Sequence, residues 1–409
     1  MPQKGCYPVR GMSRASVTEY AGVMRERYKR ANRQGKGVIL DEFTHVTGYH
    51  RKAAIRLLGR GLKPPGRRRG RPRQYGSEVV EALRVAWEAT DRLCGKRLKP
   101  FLPDLVEALT RHGELEVSPA VRRQLMQVSA ATIDRVLERY RRMAVRRPLS
   151  VTRPGSLLKG AIPIRTFADW DEGVPGFMEI DLVAHCGEST EGFYLTTLCA
   201  VDVATGWVEC QGVWGKGQER VGGAVHHIST RLPFTLLGLD SDNGSEFINH
   251  HLYDYCQRKG ITFTRSRPYK KNDSAYVEQK NWSVVRRLVG YDRYCSQAAL
   301  EQLNELYGLV RLYVNFFQPT MKLKHKSRQG AKVRKVYDEA TTPYHRLLRS
   351  GVLTPEAREA LDRLYRSLNP VRLHEQIDRH LKLLWSMAHY PAGKEASVTS
   401  FMRQPTTVR

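Results

Sequence analysis

The chain has 409 residues, 41% of them hydrophobic, and 68 Lys and Arg against 41 Asp and Glu give a formal charge of +27. That length exceeds one ordinary domain, and a cationic surplus spread along the chain points to a polyanionic partner: nucleic acid first, with a basic ribosome-associated or membrane-surface protein as the other class such a charge admits. Seven scattered cysteines without a CxxC pair support neither a disulfide framework nor a cysteine zinc site, and no run is apolar enough for a membrane span or a signal peptide, so the expected location is cytoplasmic.

Residues 1–60 read as a helical DNA-binding region. Ser16 or Thr18 is the expected cap of a first helix, and a second pattern runs through Leu40, Phe43 and Val46, then Tyr49, Ala53, Ala54, Leu57 and Leu58. The break at Thr47-Gly48, with His50, Arg51, Lys52 and Arg56 on the polar side beyond it, has the spacing of a helix-turn-helix; a plain three-helix packing unit with a basic face fits equally. Residues 61–76 are a basic Arg/Pro/Gly linker. Its Arg69-Gly70-Arg71-Pro72-Arg73 core resembles an AT-hook, which lies in a narrow minor groove, although non-specific phosphate contact accounts for it as well. Residues 77–147 form a second helical block, expected as a second DNA-binding region, in which Ser129 caps a helix presenting Thr132 and Arg135 beside Ile133, Val136 and Leu137.

From residue 176 the period changes from helical to alternating. Phe177–Val183, Phe193–Asp202 and Trp207–Val213 read as a three-stranded meander with turns at Gly187 and Thr205-Gly206. A helix from about Gln218 to Thr230, a buried strand Leu236–Asp242, a helix Asn249–Lys259, a strand Ile261–Arg265 and a long helix Asp273–Val289 follow. The order β-β-β-α-β-α-β-α predicts an α/β ribonuclease H-like core with a mixed five-stranded sheet, flanked by the all-α N-terminal regions and a helical C-terminal region. In the last of these, a helix from Ser296 carries Leu300, Leu303, Tyr307, Val310, Val314 and Phe317, residues 322–335 hold seven basic residues and no acid, and two amphipathic helices start at Thr354-Pro355 and near Leu373. The basic run reads as a further DNA arm, and the last helices either pack on the core or assemble subunits.

Three carboxylates fall where this scheme lets them converge. Asp181 lies in the first strand, Asp242 at the end of the fourth, and Glu278 in the first turns of the last core helix. Hard oxygen ligands so placed suit a two-metal clamp for phosphoryl transfer, whose ions sit about 3.5 to 4 Å apart. Glu179 shares a strand face with Asp181, and Asp240 with Asp242, so either neighbour is a possible ligand. Context favours Asp242, which is followed by Asn243-Gly244-Ser245-Glu246-Phe247 and separated by thirty-five residues from Glu278. The loop before the helix carries Arg265, Arg267, Lys270 and Lys271 with Tyr269 and Tyr276 interleaved, suited to phosphate contact and stacking on an unpaired base; a solvated basic loop has the same composition. His226 and His227 read as surface or packing residues.

At Glu179-Ile180-Asp181, Asp242-Asn243-Gly244-Ser245-Glu246-Phe247, Arg267-Pro268-Tyr269-Lys270-Lys271-Asn272-Asp273 and Val277-Glu278-Gln279-Lys280-Asn281, the sequence resembles the retroviral-integrase catalytic core superfamily, and more closely the transposases of bacterial insertion sequences. The resemblance covers roughly residues 160–320, leaving 321–409 as basic arm and C-terminal helices. It implies an Asp-Asp-Glu transposase that binds two Mg²⁺ or Mn²⁺ ions through Asp181, Asp242 and Glu278, cleaves 3′ ends and transfers strands without a covalent protein intermediate. It also implies double-stranded DNA as partner, at element ends and target, and a homo-oligomer in the synaptic complex. Two departures stand out. No His, His, Cys, Cys zinc module precedes the core, and the Lys that many members carry seven residues after the Glu is Val285 here, leaving Lys280 or Arg286 as the candidate to contact the DNA end. Two other readings remain: a DNA-binding protein with an inactive core, and a nuclease that only hydrolyses.

Overall fold

The computed structural model describes residues 12–60, 74–140, 173–242, 244–266 and 275–389. They fall into two compact units, Met1–Gln74 and Tyr75–Arg409. In the first, helices α1 (Arg14–Arg30), α2 (Arg33–Thr47) and α3 (Arg51–Arg60) close around Val17, Ala21, Met24, Ile39, Leu40, Phe43, Ala54 and Leu58. Tyr20 stacks on Phe43 with ring centroids 5.5 Å apart. The first helix begins earlier than its sequence suggests, because Ser13 Oγ accepts from the Ser16 amide at 3.1 Å and so takes the cap expected of Ser16 or Thr18. α2 ends at Gly48, whose φ of 69° is the left-handed cap conformation that a residue without Cβ adopts at no steric cost. Only Gly48, Tyr49 and His50 then separate α2 from α3, the short turn expected of a helix-turn-helix.

The second unit opens with α4 (Ser77–Ala89), α5 (Gly95–Arg111), α6 (Pro119–Gln127) and α7 (Ala130–Leu137), the last capped by Ser129 Oγ on the Thr132 amide as its sequence predicts. The central sheet follows: β1 (Phe177–Ala184), β2 (Thr196–Asp202), β3 (Val208–Val213), α8 (Gln218–Arg231), β4 (Gly238–Ser241), α9 (His250–Lys259) and β5 (Thr262–Arg265). Its strand order is β3-β2-β1-β4-β5, antiparallel through the first three strands and parallel from β1 to β4 to β5. This mixed five-stranded sheet is the ribonuclease H-like arrangement predicted from the element order. Met178, Ile180, Leu198, Ala200, Leu239 and Phe263 pack one sheet face against α8 and α9.

The opposite face carries α10 (Ala275–Lys280), which continues without interruption through a π-helical stretch, Asn281–Arg286, into α11 (Arg287–Val289), and then α12 (Gln297–Phe317). Val183, Cys199, Val201 and Cys210 on the strands share one apolar core with Leu303, Leu306, Tyr307 and Val310 on α12. That core extends outward to Trp87, Phe101, Leu105 and Ile133 of α4 to α7 and to α13 (Pro343–Ser350), α14 (Pro355–Ser367) and α15 (Pro370–Ser386). The helical block expected as a separate second region therefore folds as a wall of the unit that holds the sheet. Tyr313 donates to the Ala89 carbonyl at 3.0 Å, and the Gln318 amide to the Thr90 carbonyl at 2.9 Å, across that boundary. Between α12 and α13 the basic run forms a hairpin, β6 (Leu323–Gln329) and β7 (Lys332–Tyr337). Neither its strands nor α13 is foreseen in the sequence. Among the described residues no helix is long and apolar enough to cross a membrane.

Candidate active site

Strand register decides which acids meet. β1 and β4 run parallel with Glu179 opposite Asp240 and Ile180 opposite Ser241, so the residues that follow, Asp181 and Asp242, stand abreast where β4 ends. Because Ile180 and Leu239 point into the α8/α9 core, Glu179, Asp181, Asp240 and Asp242 all share the face beneath α10. Burial pushes the Asp181 carboxyl up to about 7, and the neighbouring Asp242 charge adds to it; the Leu182 amide at 2.8 Å and the Asn281 side chain at 2.6 Å oppose the shift. Asp242 is likewise raised by burial, against one hydrogen bond from the Gly244 amide at 2.8 Å. Glu278 is exposed on the first turn of α10, and its charge also reaches Asp181.

The two rival acids have other work. Glu179 is buried, and one of its carboxylate oxygens accepts both the Tyr276 amide at 2.9 Å and the Val277 amide at 3.0 Å. It caps the helix that bears Glu278, as an N-terminal anion does. Asp240 is also buried and accepts from Thr264 Oγ1 at 2.6 Å on β5. Both lie one pleat back along their strands from Asp181 and Asp242. Residue by residue, then, the structure places Asp181 and Asp242 side by side with Glu278 on the adjoining helix.

Hard oxygen donors that raise one another's proton affinity are the donor set a divalent cation favours, since its charge lets both ionise. Gly244 keeps the approach open: a Cβ there would lie 2.9 Å from Asp242 Oδ1 and 2.8 Å from Glu246 Oε2. No three His, Cys, Asp or Glu side chains among the described residues are drawn into a ready-made cation cage.

The expected DNA contacts separate into groups. Arg51 and Lys52 at the start of α3 and Arg135 on α7 are exposed, with Arg51 paired to Asp41. Arg69, Arg71, Arg73, Arg267, Lys270 and Lys271 lie outside the described residues, as does Asn243. Lys280 is corrected: it is 7% exposed, and burial pulls its ammonium down to about 8, so it faces the core and cannot reach a phosphate. Arg286 is half-buried, with its guanidinium over the Tyr291 ring at 5.0 Å. Val285 is fully buried. A π-helical turn holds more residues than an α turn, so counting seven residues on from Glu278 does not return to its face.

No family model matches the chain. A protein of Sinorhizobium fredii (strain NBRC 101917 / NGR234), "Uncharacterized protein y4rM", is 45% identical over 337 residues, covering 82% of this chain and 96% of that one. The chain belongs to the y4rM family. A stretch of 115 residues, 27% of the chain, is 32% identical to the Gag-Pol polyprotein of bovine immunodeficiency virus (strain R29) and spans 8% of that polyprotein. Among solved structures, the catalytic core domain of BIV integrase matches at 24% identity and a TM-score of 0.30, covering 43% of this chain and 95% of that one. The HTLV-2 integrase catalytic core domain, in complex with magnesium, matches at 14% identity and 0.28, covering 36% and 91%.

Two site residues of this y4rM-family chain escape sequence reasoning. Glu246 stands beside Asp242, which raises its carboxyl after burial, yet in sequence it is one letter of a turn motif. Trp282 is 51% exposed one helical turn beyond Glu278. A large aromatic side chain left exposed four residues after the acid is the feature that points to it.

Proposed function

We propose that this protein is a DNA transposase of the integrase type, cutting the 3′ ends of a mobile element and joining them to target DNA. The observation that carries the reading is the register that sets Asp181 and Asp242 abreast on adjacent parallel strands, with the Glu278 helix tied to the same strand through Glu179 and Asn281. Mg²⁺ or Mn²⁺ held by Asp181, Asp242 and Glu278 would supply the Lewis acid for the attacking and leaving oxygens. The residues themselves set the geometry. Asn281 holds one Asp181 oxygen, and the Gly244 amide holds one Asp242 oxygen. Trp282 offers a face on which an unpaired terminal base stacks. End recognition falls to α3, with Arg51 and Lys52 on its exposed side, and to the basic segments around Arg69, Arg71, Arg73 and Arg267, Lys270, Lys271; Arg135 on α7 is a further contact. Synapsis of two ends calls for a homo-oligomer.

Strand transfer tests the reading. Purified protein with Mg²⁺ and a labelled duplex carrying the element end should yield joined products. Asp181→Asn, Asp242→Asn and Glu278→Gln should each lower joining by at least about a thousandfold while retaining end binding. Joining by any of the three variants at the parent rate removes that residue from the site, and cleavage without joining makes the protein a nuclease.

A further inference from the structure

Among the described residues, the β6–β7 hairpin forms no sheet with any other strand. From Leu323 to Tyr337 it carries six Lys or Arg and no acid. All of β7 is exposed, the two strands pair only with each other, and no ion pair among the described residues reaches Lys324, Arg328, Lys332, Arg334 or Lys335. A lone two-stranded ribbon is marginal in water, yet this one is rooted firmly. Lys322 and Asp338 exchange backbone and side-chain hydrogen bonds at its base, and Thr320 and Thr341 bridge below them. Arg346 clamps Thr320 Oγ1 at 2.7 Å and Asp338 at 3.0 Å. Lys322 Nζ donates to the carbonyls of Val203 and Ala204 at 2.7 and 2.9 Å, and sits 5.5 Å from the Tyr276 ring. The ribbon therefore leaves the core between the β2–β3 turn and the start of the helix that bears Glu278.

We infer that this hairpin is a DNA-binding ribbon that grips duplex DNA beside the carboxylate edge, an assignment that rests on the proposed transposase reading. A two-stranded ribbon fits a major groove about 12 Å wide, and strands of this length reach roughly 20 Å along it. The register distributes cations to both faces: Lys332 and Arg334 share one face with Ser327 and Gln329, while Lys335 and Arg328 share the other with Val333 and Tyr337. A ribbon in a groove has phosphates on either side, and this distribution meets both. Charges along an edge strand also block strand-to-strand aggregation, but that role is indifferent to sign, which separates the two explanations.

The experiment is duplex binding by the full chain, read as anisotropy of a labelled 40-base-pair DNA over a range of KCl, with chelator present to prevent cleavage. Replacing Lys332, Arg334 and Lys335 together by Gln should weaken binding at least about tenfold and flatten the log–log salt slope by about 2 to 3, because each lost phosphate contact removes roughly 0.9. The same three positions as Glu should weaken it further, and Lys324→Gln with Arg328→Gln on the other strand should flatten the slope independently. The substituted side chains are exposed, so thermal melting should not move. Parent-like affinity and slope in the Gln and Glu variants would overturn the ribbon assignment. Strand joining by the parent protein is read separately: joining intact with no ribbon effect overturns the ribbon alone, and a parent that neither binds duplex nor joins it overturns both.

Discussion

Glu179 and Asp181 stand two residues apart on one strand face and meet opposite fates, because one pleat of depth separates them. Where β4 ends, Asp181 stands beside Asp242; one pleat back, Glu179 faces the backbone amides of α10 and is consumed as its cap. Glu179→Ala should therefore misplace Glu278 and lower joining roughly tenfold to a hundredfold, whereas Glu179→Gln keeps an acceptor oxygen and should retain much more; equal activity of Ala variant and parent would show that the cap does not position the helix. His185 supplies a pH prediction. It is fully buried, its Nε2 pairs with Thr197 Oγ1 at 2.7 Å, and burial holds it down to about 3. The folded state then binds fewer protons than the unfolded one between that value and 6.5, so this contribution is fully present above 6.5 and is lost as pH falls. Urea midpoints of the parent measured from pH 8 to 5 should fall relative to those of His185→Gln; parallel curves would reject it.

At the scale of elements, α12 is the piece on which the second unit is assembled. Asn315, fully buried, completes the ladder of edge strand β3 by accepting from the Val208 amide and donating to its carbonyl, both at 2.8 Å. One turn earlier, Arg311 meets the buried Glu209 carboxylate at 2.9 and 3.0 Å, with Arg231 at 3.4 Å and the Trp207 indole at 3.0 Å as its other partners. Removing Arg311 leaves the buried Glu209 carboxylate with only Arg231 and the Trp207 indole, so Arg311→Leu should cost about 2 kcal/mol in denaturant unfolding. Double replacement of Glu209 by Leu and Arg311 by Leu should recover part of that loss; a single variant as stable as the parent would show the pair to be inert. The helix that bears Glu278 shows where periodicity misleads. Its π-helical stretch buries Val285, so a face counted at 3.6 residues per turn is lost after Asn281.

Across the whole molecule, the division falls between Gln74 and Tyr75, not between the second helical block and the sheet. Helices α4 to α7 share the apolar core of α12 and α15, and Arg287 reaches Asp91 at 2.7 Å. A chain beginning at Tyr75 should therefore fold with a melting temperature within a few degrees of the parent, while losing selectivity for element ends over random duplex; retained selectivity would move end recognition into the second unit. The sequence alone determined the order of strands and helices through the central sheet and the caps at Ser129 and Thr354, and it singled out the acids at positions 181, 242 and 278, because these follow from local periodicity, short-range hydrogen bonding and a motif spacing. Only the tertiary structure decided that Glu179 caps a helix whose amides lie 97 and 98 residues away in the chain, that Lys280 is internal, that α4 to α7 are a wall of the unit that holds the sheet, and that the basic run is a ribbon. Each of those depends on which face a neighbour covers. An alternating or helical pattern marks the apolar side of an element, but a charged residue's depth is set by the pleat and the partner laid over it.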